Sequence, residues 1–505
     1  HEGGATHKGR FLIMNRSSGV LLPVSALPSP HGIGTLGTEA YRFIDFLAAA
    51  GQRYWQILPL GPTSIGDSPY QPFSSYAGNP YFIDLDSLVA AGLLSADEVA
   101  SADWGEDPGR VDYGRIYAAR LPMLRRAFAR ADAALRAEAA AFARENAAWL
   151  PDYALFMALK RHFGMRAWTQ WEDENIRLRR PDAVSAWSEC LRTDVEFFTF
   201  VQFLFYRQWE ALKAYASVHG IKIIGDLPIY VAMDSADVWA GPQNFQLDAG
   251  NTPIAVAGVP PDSFSADGQL WGNPLYCWEK MREDGYRWWM ERIAGAARLY
   301  DVLRIDHFRG LESYWSVPFG ETTASRGHWV KGPGMDFIDA VRARFPTLPI
   351  IAEDLGYLSP EVHALLKASG FPGMKVLEFA FDSREPGEYR PHTYPENCAC
   401  YTGTHDNAPL LGWREDAAPE DVARATAYLG LNEREGFHWG MIRGGMSSVA
   451  LLFVAQMQDY LGLGAESRMN TPSTLGCNWQ WRMQQGDCTP ALAEKMRFYT
   501  ELYGR

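Results

Sequence analysis

Cysteine is sparse in this 505-residue chain: Cys190, Cys277, Cys398, Cys400, Cys477 and Cys488, with no CxxC pair. So few thiols in so long a chain do not form a disulfide framework, and they read as reduced. Cys398 and Cys400 could point to one side of a strand and mimic a metal pair. No His or Cys cluster of zinc spacing accompanies them, however, so both are expected in the core. Long apolar runs are missing too. The longest, near residues 449–454, falls far short of the roughly 20 residues that cross a bilayer. Positive charge is in deficit, with 47 Lys and Arg against 60 Asp and Glu for a net −13. An acidic surface of that kind repels phosphate backbones and anionic headgroups. No GxxxxGK[ST] loop or GxGxxG fingerprint follows a strand, and no EF-hand-like acidic loop, internal repeat or low-complexity tract is present. The reading at this level is a cytoplasmic protein without nucleic-acid or membrane partners, obligate protein partner, cofactor or metal.

Aromatic residues, by contrast, are plentiful: 18 Trp, 23 Tyr and 26 Phe. Many of them fill a large core. The remainder suit ligands with flat apolar faces, and sugars are such ligands. With 21% charged and 47% hydrophobic residues the chain is a folded globular protein. The Gly/His-rich stretch 1–13 ahead of Met14 reads as an added leader, leaving 14–505 as the protein proper.

Short β-branched runs alternate with helical sequence, which signals α/β. Candidate strands lie at 20–25, 54–59, 221–226, 302–307, 349–353, 374–379, 400–405 and 449–456, of a length and composition that suit a parallel sheet. Eight such strands close a (β/α)8 TIM barrel, with a doubly wound open sheet as the alternative. The uneven spacing calls for subdomains inserted between barrel strands, at about 62–195 and 232–300, within a single catalytic body and with no separate C-terminal β domain. Within the first, the charged run 115–144 reads as a solvated helix face. Within the second, the Gly/Pro-rich stretch 250–273 reads as a loop and a candidate lid, with Val256, Val259 and Pro260 covering the reacting centre.

Three segments place an acid directly after an apolar run: Val302-Leu-Arg-Ile-Asp306-His-Phe-Arg-Gly310, Ile350-Ile-Ala-Glu353-Asp-Leu-Gly356 and Tyr401-Thr-Gly-Thr-His-Asp406-Asn407. In a barrel these strand ends share one rim, together with Asp226. Cleaving a glycosidic bond takes one carboxylate at the anomeric centre and a second, protonated carboxyl at the departing oxygen. Arg304 lies two residues before Asp306, so both side chains face the same way and the cation favours the ionised acid. His307 and His405 are neighbouring donors for sugar hydroxyls.

Further motifs narrow the reading. Gly19-Val-Leu-Leu-Pro-Val-Ser-Ala-Leu-Pro28, His31-Gly-Ile-Gly34, Trp55-Gln-Ile-Leu-Pro-Leu-Gly-Pro-Thr63 and Ser68-Pro-Tyr70 open the chain. Gly225-Asp-Leu-Pro-Ile-Tyr-Val231, Pro260-Pro-Asp262 and Gly268-Gln-Leu-Trp-Gly-Asn-Pro274 follow, and Arg468-Met-Asn470 and Asn478-Trp479 come near the end. With these motifs, from Gly19 to the C-terminus, the chain resembles the 4-α-glucanotransferases of the amylomaltase (disproportionating enzyme) family, glycoside hydrolase family 77.

The resemblance implies that Asp306 is the nucleophile, Glu353 the general acid/base and Asp406 the transition-state stabiliser. Arg304 and His405 would support them. It places Tyr70 near the cleavage point, Asp226 and Trp271 on bound glucose units, and Gln269, His307 and Asn478 in hydrogen bonds to sugar. The implied activity is transfer of α-1,4-glucan segments from malto-oligosaccharides, amylose or glycogen-derived glucans to the 4-hydroxyl of an acceptor glucan or glucose by retaining double displacement. Intramolecular transfer would give large-ring cycloamyloses, and the alternative is an α-amylase-type hydrolase. Two positions depart from the family pattern: Ala408-Pro409 follows Asn407 where an acidic or Thr residue is usual, and Ser473 stands where Gly is usual. A serine forced to positive φ there would be strained.

Overall fold

The computed structural model describes residues 15–64, 66–261, 265–356, 358–383 and 389–505. The expected leader at 1–13 lies outside them. The strands, in chain order, are β1 (Ser17–Leu21), β2 (Tyr54–Gln56), β3 (Lys222–Leu227), β4 (Ala255–Val259), β5 (Gln269–Pro274) and β6 (Val302–Ile305). They continue with β7 (Ser313–Pro318), β8 (His328–Lys331), β9 (Ile350–Ala352), β10 (Gly373–Val376), β11 (Cys398–Tyr401) and β12 (Leu452–Gln456).

Strands β1, β2, β3, β6, β9, β10, β11 and β12 close a parallel barrel, the last returning to pair with the first. The fold is a (β/α)8 barrel, not an open sheet. Each barrel strand overlaps one of the expected segments. Most stop earlier at the C-terminal side, because the chain leaves the hydrogen-bond ladder there to build the rim. In β1 the cause is local: Pro23 has no N–H for the ladder, and a 3₁₀ turn, Val24–Ala26, follows it. Cys398 and Cys400 are buried in β11, as a core role requires.

Between β2 and β3 the chain makes a helical excursion that ends in the 27-residue helix Arg192–Val218, which carries it back to the barrel. The charged run 115–144 forms two helices, Tyr113–Arg130 and Ala133–Glu145, divided where Asp132 caps the second. Its solvated-face reading fails at Arg120. That side chain is fully buried and donates to the carbonyls of Ile83 and His31, tying the excursion to the barrel's first loops.

The stretch 250–273 is not a loop. Strands β4 and β5 pair antiparallel and join β7 and β8 in a four-stranded sheet of order β5-β4-β7-β8. Val256 is an interior residue of that sheet, packed with Val317, Leu270 and Trp315, and does not cover a site. The misreading has a physical cause. The central partner of β4 is β7, which comes from beyond the next barrel strand, and no local pattern announces so distant a pairing. The irregular parts of the segment are 250–254, ahead of β4, and the connection between β4 and β5, within which residues 262–264 lie outside the described ones.

Candidate active site

At the C-terminal rim, Asp226 on β3 and Arg304 on β6 sit directly opposite each other in the strand register. Arg304 Nη1 donates to both carboxylate oxygens of Asp226, at 2.7 and 2.8 Å, and to Asp306 Oδ1 at 3.0 Å. Arg304 and Asp226 are buried, while Asp306 is partly open to the rim. Burial raises the Asp226 carboxyl above its usual value, and Arg304 pulls it the other way. The strand must be glycine at position 225, since a Cβ there would stand 2.0 Å from the Tyr300 ring. Tyr70 reaches in from the loop after β2. Its hydroxyl donates to Asp226 Oδ2 at 2.5 Å, and its ring stacks on His405 with centroids 5.0 Å apart.

Glu353 follows β9 and accepts two backbone hydrogen bonds, from His307 N–H to Oε2 at 2.6 Å and from Leu355 N–H to Oε1 at 2.7 Å. Burial pushes its carboxyl up to about 7; nearby Asp306 adds to the rise, and Arg304 and the two backbone donors oppose it. His307 sits in the left-handed region, φ 54°, which aims its N–H at Glu353. Burial drives its imidazole down to about 3, so the ring is neutral near pH 7, and its buried Nε2 has no hydrogen-bond partner among the described residues. The ring meets Trp271 edge to face at 4.8 Å. Trp271 and Gln269 lie on β5, an edge strand of the four-stranded sheet, and Trp271 Nε1 donates to Gln269 Oε1 at 3.2 Å. The sheet therefore forms one wall of the site.

Asp406 lies beyond the end of β11. Asn470 Nδ2 donates to its Oδ1 at 2.6 Å, and His405 Nε2 stands 3.3 Å from the same oxygen. Arg468 donates to the Asp406 carbonyl. Asn478 directs its amide into its own loop, accepting from Thr471 N–H at 3.0 Å and donating to the Thr474 carbonyl at 2.9 Å. It thereby presents Trp479, whose ring lies 5.9 Å from Tyr70 and 5.8 Å from His405.

A family profile described as 4-alpha-glucanotransferase matches residues 22–489. The chain belongs to the 4-α-glucanotransferase family. The 4-α-glucanotransferase of Clostridium butyricum is 47% identical over 484 residues, 95% of this chain and 99% of that protein. That of Thermus thermophilus is 46% identical over 497 residues, 96% and 98% of the two chains. The amylomaltase of Streptococcus agalactiae, solved in complex with acarbose, superposes with a TM-score of 0.94 at 43% identity, covering 97% of this chain and 99% of the other. The chain is accordingly an enzyme of the 4-α-glucanotransferase family on an amylomaltase fold. No helix among the described residues is long and apolar enough to cross a membrane.

Within this glucanotransferase scaffold the rim gathers Tyr70, Asp226, Arg304, Asp306 and His405 into one bonded network. Glu353, His307, Trp271 and Gln269 form a second. Asn470, Arg468 and Trp479 are residues whose part the sequence left unassigned. The signal was available, since Arg468-Met-Asn470 and Asn478-Trp479 are both family motifs. Only the fold brings Asn470 to the Asp406 carboxylate and Trp479 to Tyr70.

Proposed function

We propose that the chain transfers α-1,4-glucan segments by double displacement. A carboxylate oxygen of Asp306 attacks the anomeric carbon of a bound glucan, the glycosidic C–O bond breaks, and Glu353 gives its proton to the departing O4. The 4-hydroxyl of an acceptor glucan then returns a proton to Glu353 as its oxygen displaces Asp306 from the anomeric carbon. Asp406, oriented by Asn470 and His405, stabilises the oxocarbenium-like charge in both steps. Malto-oligosaccharides and amylose are the donors of this reading, and Tyr70, Trp271 and Trp479 supply flat faces for their rings.

The observation that carries the proposal is the difference between two neighbouring acids. Glu353 is held protonated up to about pH 7 by burial, whereas Asp306 is tied to the fixed charge of Arg304. That difference in environment is what separates a general acid from a nucleophile.

Products from maltotriose test it. Transfer gives glucose and longer oligosaccharides with the number of reducing ends unchanged, while hydrolysis adds one reducing end per bond cleaved. A steady rise in reducing ends without longer products would replace transferase with hydrolase. Asp306→Asn should lose turnover by several orders of magnitude while still binding maltotriose; near-normal transfer by that variant would move the nucleophile elsewhere.

A further inference from the structure

We infer that Asp459 is the positioning residue for Asp406, holding both ends of the loop that carries it. This rests on the proposed role of Asp406. Asp459 sits just past β12 in the short helix Met457–Leu461 and is almost completely buried, at 1% exposure. Its two carboxylate oxygens are divided between two distant points of one loop. Oδ2 accepts from the Thr402 hydroxyl at 2.6 Å, and Oδ1 accepts from Leu410 N–H at 2.7 Å. Thr402 is where the chain leaves β11, and Leu410 is where the helix Leu410–Asp416 begins. His405 and Asp406 lie between them.

The loop has internal bonds of its own. Thr404 donates its N–H and hydroxyl to Asn407 Oδ1 at 2.8 and 2.9 Å, and Asp406 N–H donates to Thr404 Oγ1 at 3.2 Å. These make the segment a compact unit, but they do not fix where that unit stands on the barrel. From the outer side Asn470 grips it, through the Asp406 carboxylate and through its own N–H to the His405 carbonyl at 3.1 Å. From the barrel side Thr402 N–H is tied to the Val454 carbonyl of β12 at 3.1 Å, and Asp459 adds the link that joins this end of the loop to Leu410. A single carboxylate with both oxygens engaged sets the spacing of the loop's ends, and so the height of the Asp406 carboxylate above the rim. Packing beneath the loop leaves no slack to replace it: a Cβ on Gly403 would meet Asn407, Gln456 and Glu378 side-chain atoms at 3.0–3.1 Å. Asp459 touches no reacting atom, and its effect on the reaction passes through Asp406.

Asp459→Asn in the full chain replaces one acceptor oxygen by an amide nitrogen, which donates and cannot accept. With maltotriose, kcat is expected to fall by about tenfold or more while KM stays within about twofold, because loss of transition-state stabilisation leaves ground-state binding in place. With α-maltosyl fluoride, whose leaving group needs no proton, the fractional loss should be the same. A loss that disappears with the fluoride would place the effect on Glu353 and overturn the proposal, as would an unchanged kcat or a rise in KM alone. Thr402→Val removes only the hydroxyl donor and should show the same pattern at smaller amplitude, which keeps the test open if Asp459→Asn folds poorly. Asp301→Asn is the control for stability alone. It alters a half-buried carboxylate that accepts from Ile223 N–H at 2.8 Å directly ahead of β6, at the barrel end opposite the rim. It should lower Tm and leave kcat on both donors unchanged; a parallel fall in its kcat would reduce the Asp459 effect to lost stability. Asp406→Asn tests the underlying reading separately, and if that variant keeps full transfer activity the role of Asp406 fails whatever Asp459 does.

Discussion

Arg304 binds Asp226 more fully than it binds Asp306: one nitrogen, Nη1, reaches both oxygens of Asp226 at 2.7 and 2.8 Å and only one oxygen of Asp306, at 3.0 Å. The cation that the strand spacing assigned to Asp306 is shared, and the larger share goes to a buried acid on the neighbouring strand. Asp226 is the fully buried partner of Arg304 at the rim. Removing it leaves a buried guanidinium with one exposed-side partner. Asp226→Ala should cost about 3–5 kcal/mol of stability, the usual penalty for breaking a buried ion pair. Urea unfolding of the variant against the parent protein measures it.

In the proposed mechanism Glu353 must carry its proton to serve as the acid, so activity should follow the fraction protonated. With its carboxyl at about 7, kcat/KM should fall above that pH, by about tenfold per unit once the group is ionised. With α-maltosyl fluoride the first step needs no acid, and this alkaline limb should vanish from the rate of fluoride release. A limb near the usual carboxylate range would mean that the burial of Glu353 is relieved in solution.

Trp271 stands against His307 at the edge of the sheet that walls the site. Trp271→Ala should raise KM for maltotriose several-fold, matching roughly 0.5–1.5 kcal/mol for one lost aromatic contact. It should also increase reducing-end release relative to transfer, since the acceptor loses residence time that water does not need. Product chromatography at fixed conversion measures the ratio.

Ser473 does adopt positive φ, 64°, at the position where the resemblance led to the expectation of Gly. Only glycine takes that conformation without steric cost. Ser473→Gly should therefore stabilise the chain by up to about 1 kcal/mol, the left-handed penalty less the added entropy of the unfolded glycine. A scanning melt of the two proteins checks the sign. A decrease in Tm would mean that the serine side chain contributes more than its strain costs.

The barrel and the rim placement of Asp306, Glu353 and Asp406 are legible in the chain alone. Continuous apolar runs ending in Asp306, Glu353 and Asp406 need only the local rule that buried strands are apolar and that their ends meet at one rim. The spacing of Arg304 and Asp306 placed both on one face for the same reason. Only the tertiary structure decided the rest. The stretch 250–273 became two strands because β4 pairs with β7, a partner more than fifty residues away. Arg120 left its solvated face because two carbonyls of distant loops meet it in the core. Asn470 came to Asp406 and Asp459 to the loop ends of Thr402 and Leu410, each across a long span of chain. Hydrogen bonds between side chains far apart in sequence carry no periodicity. They are fixed by how the barrel closes, and that closure is a property of all eight strands together.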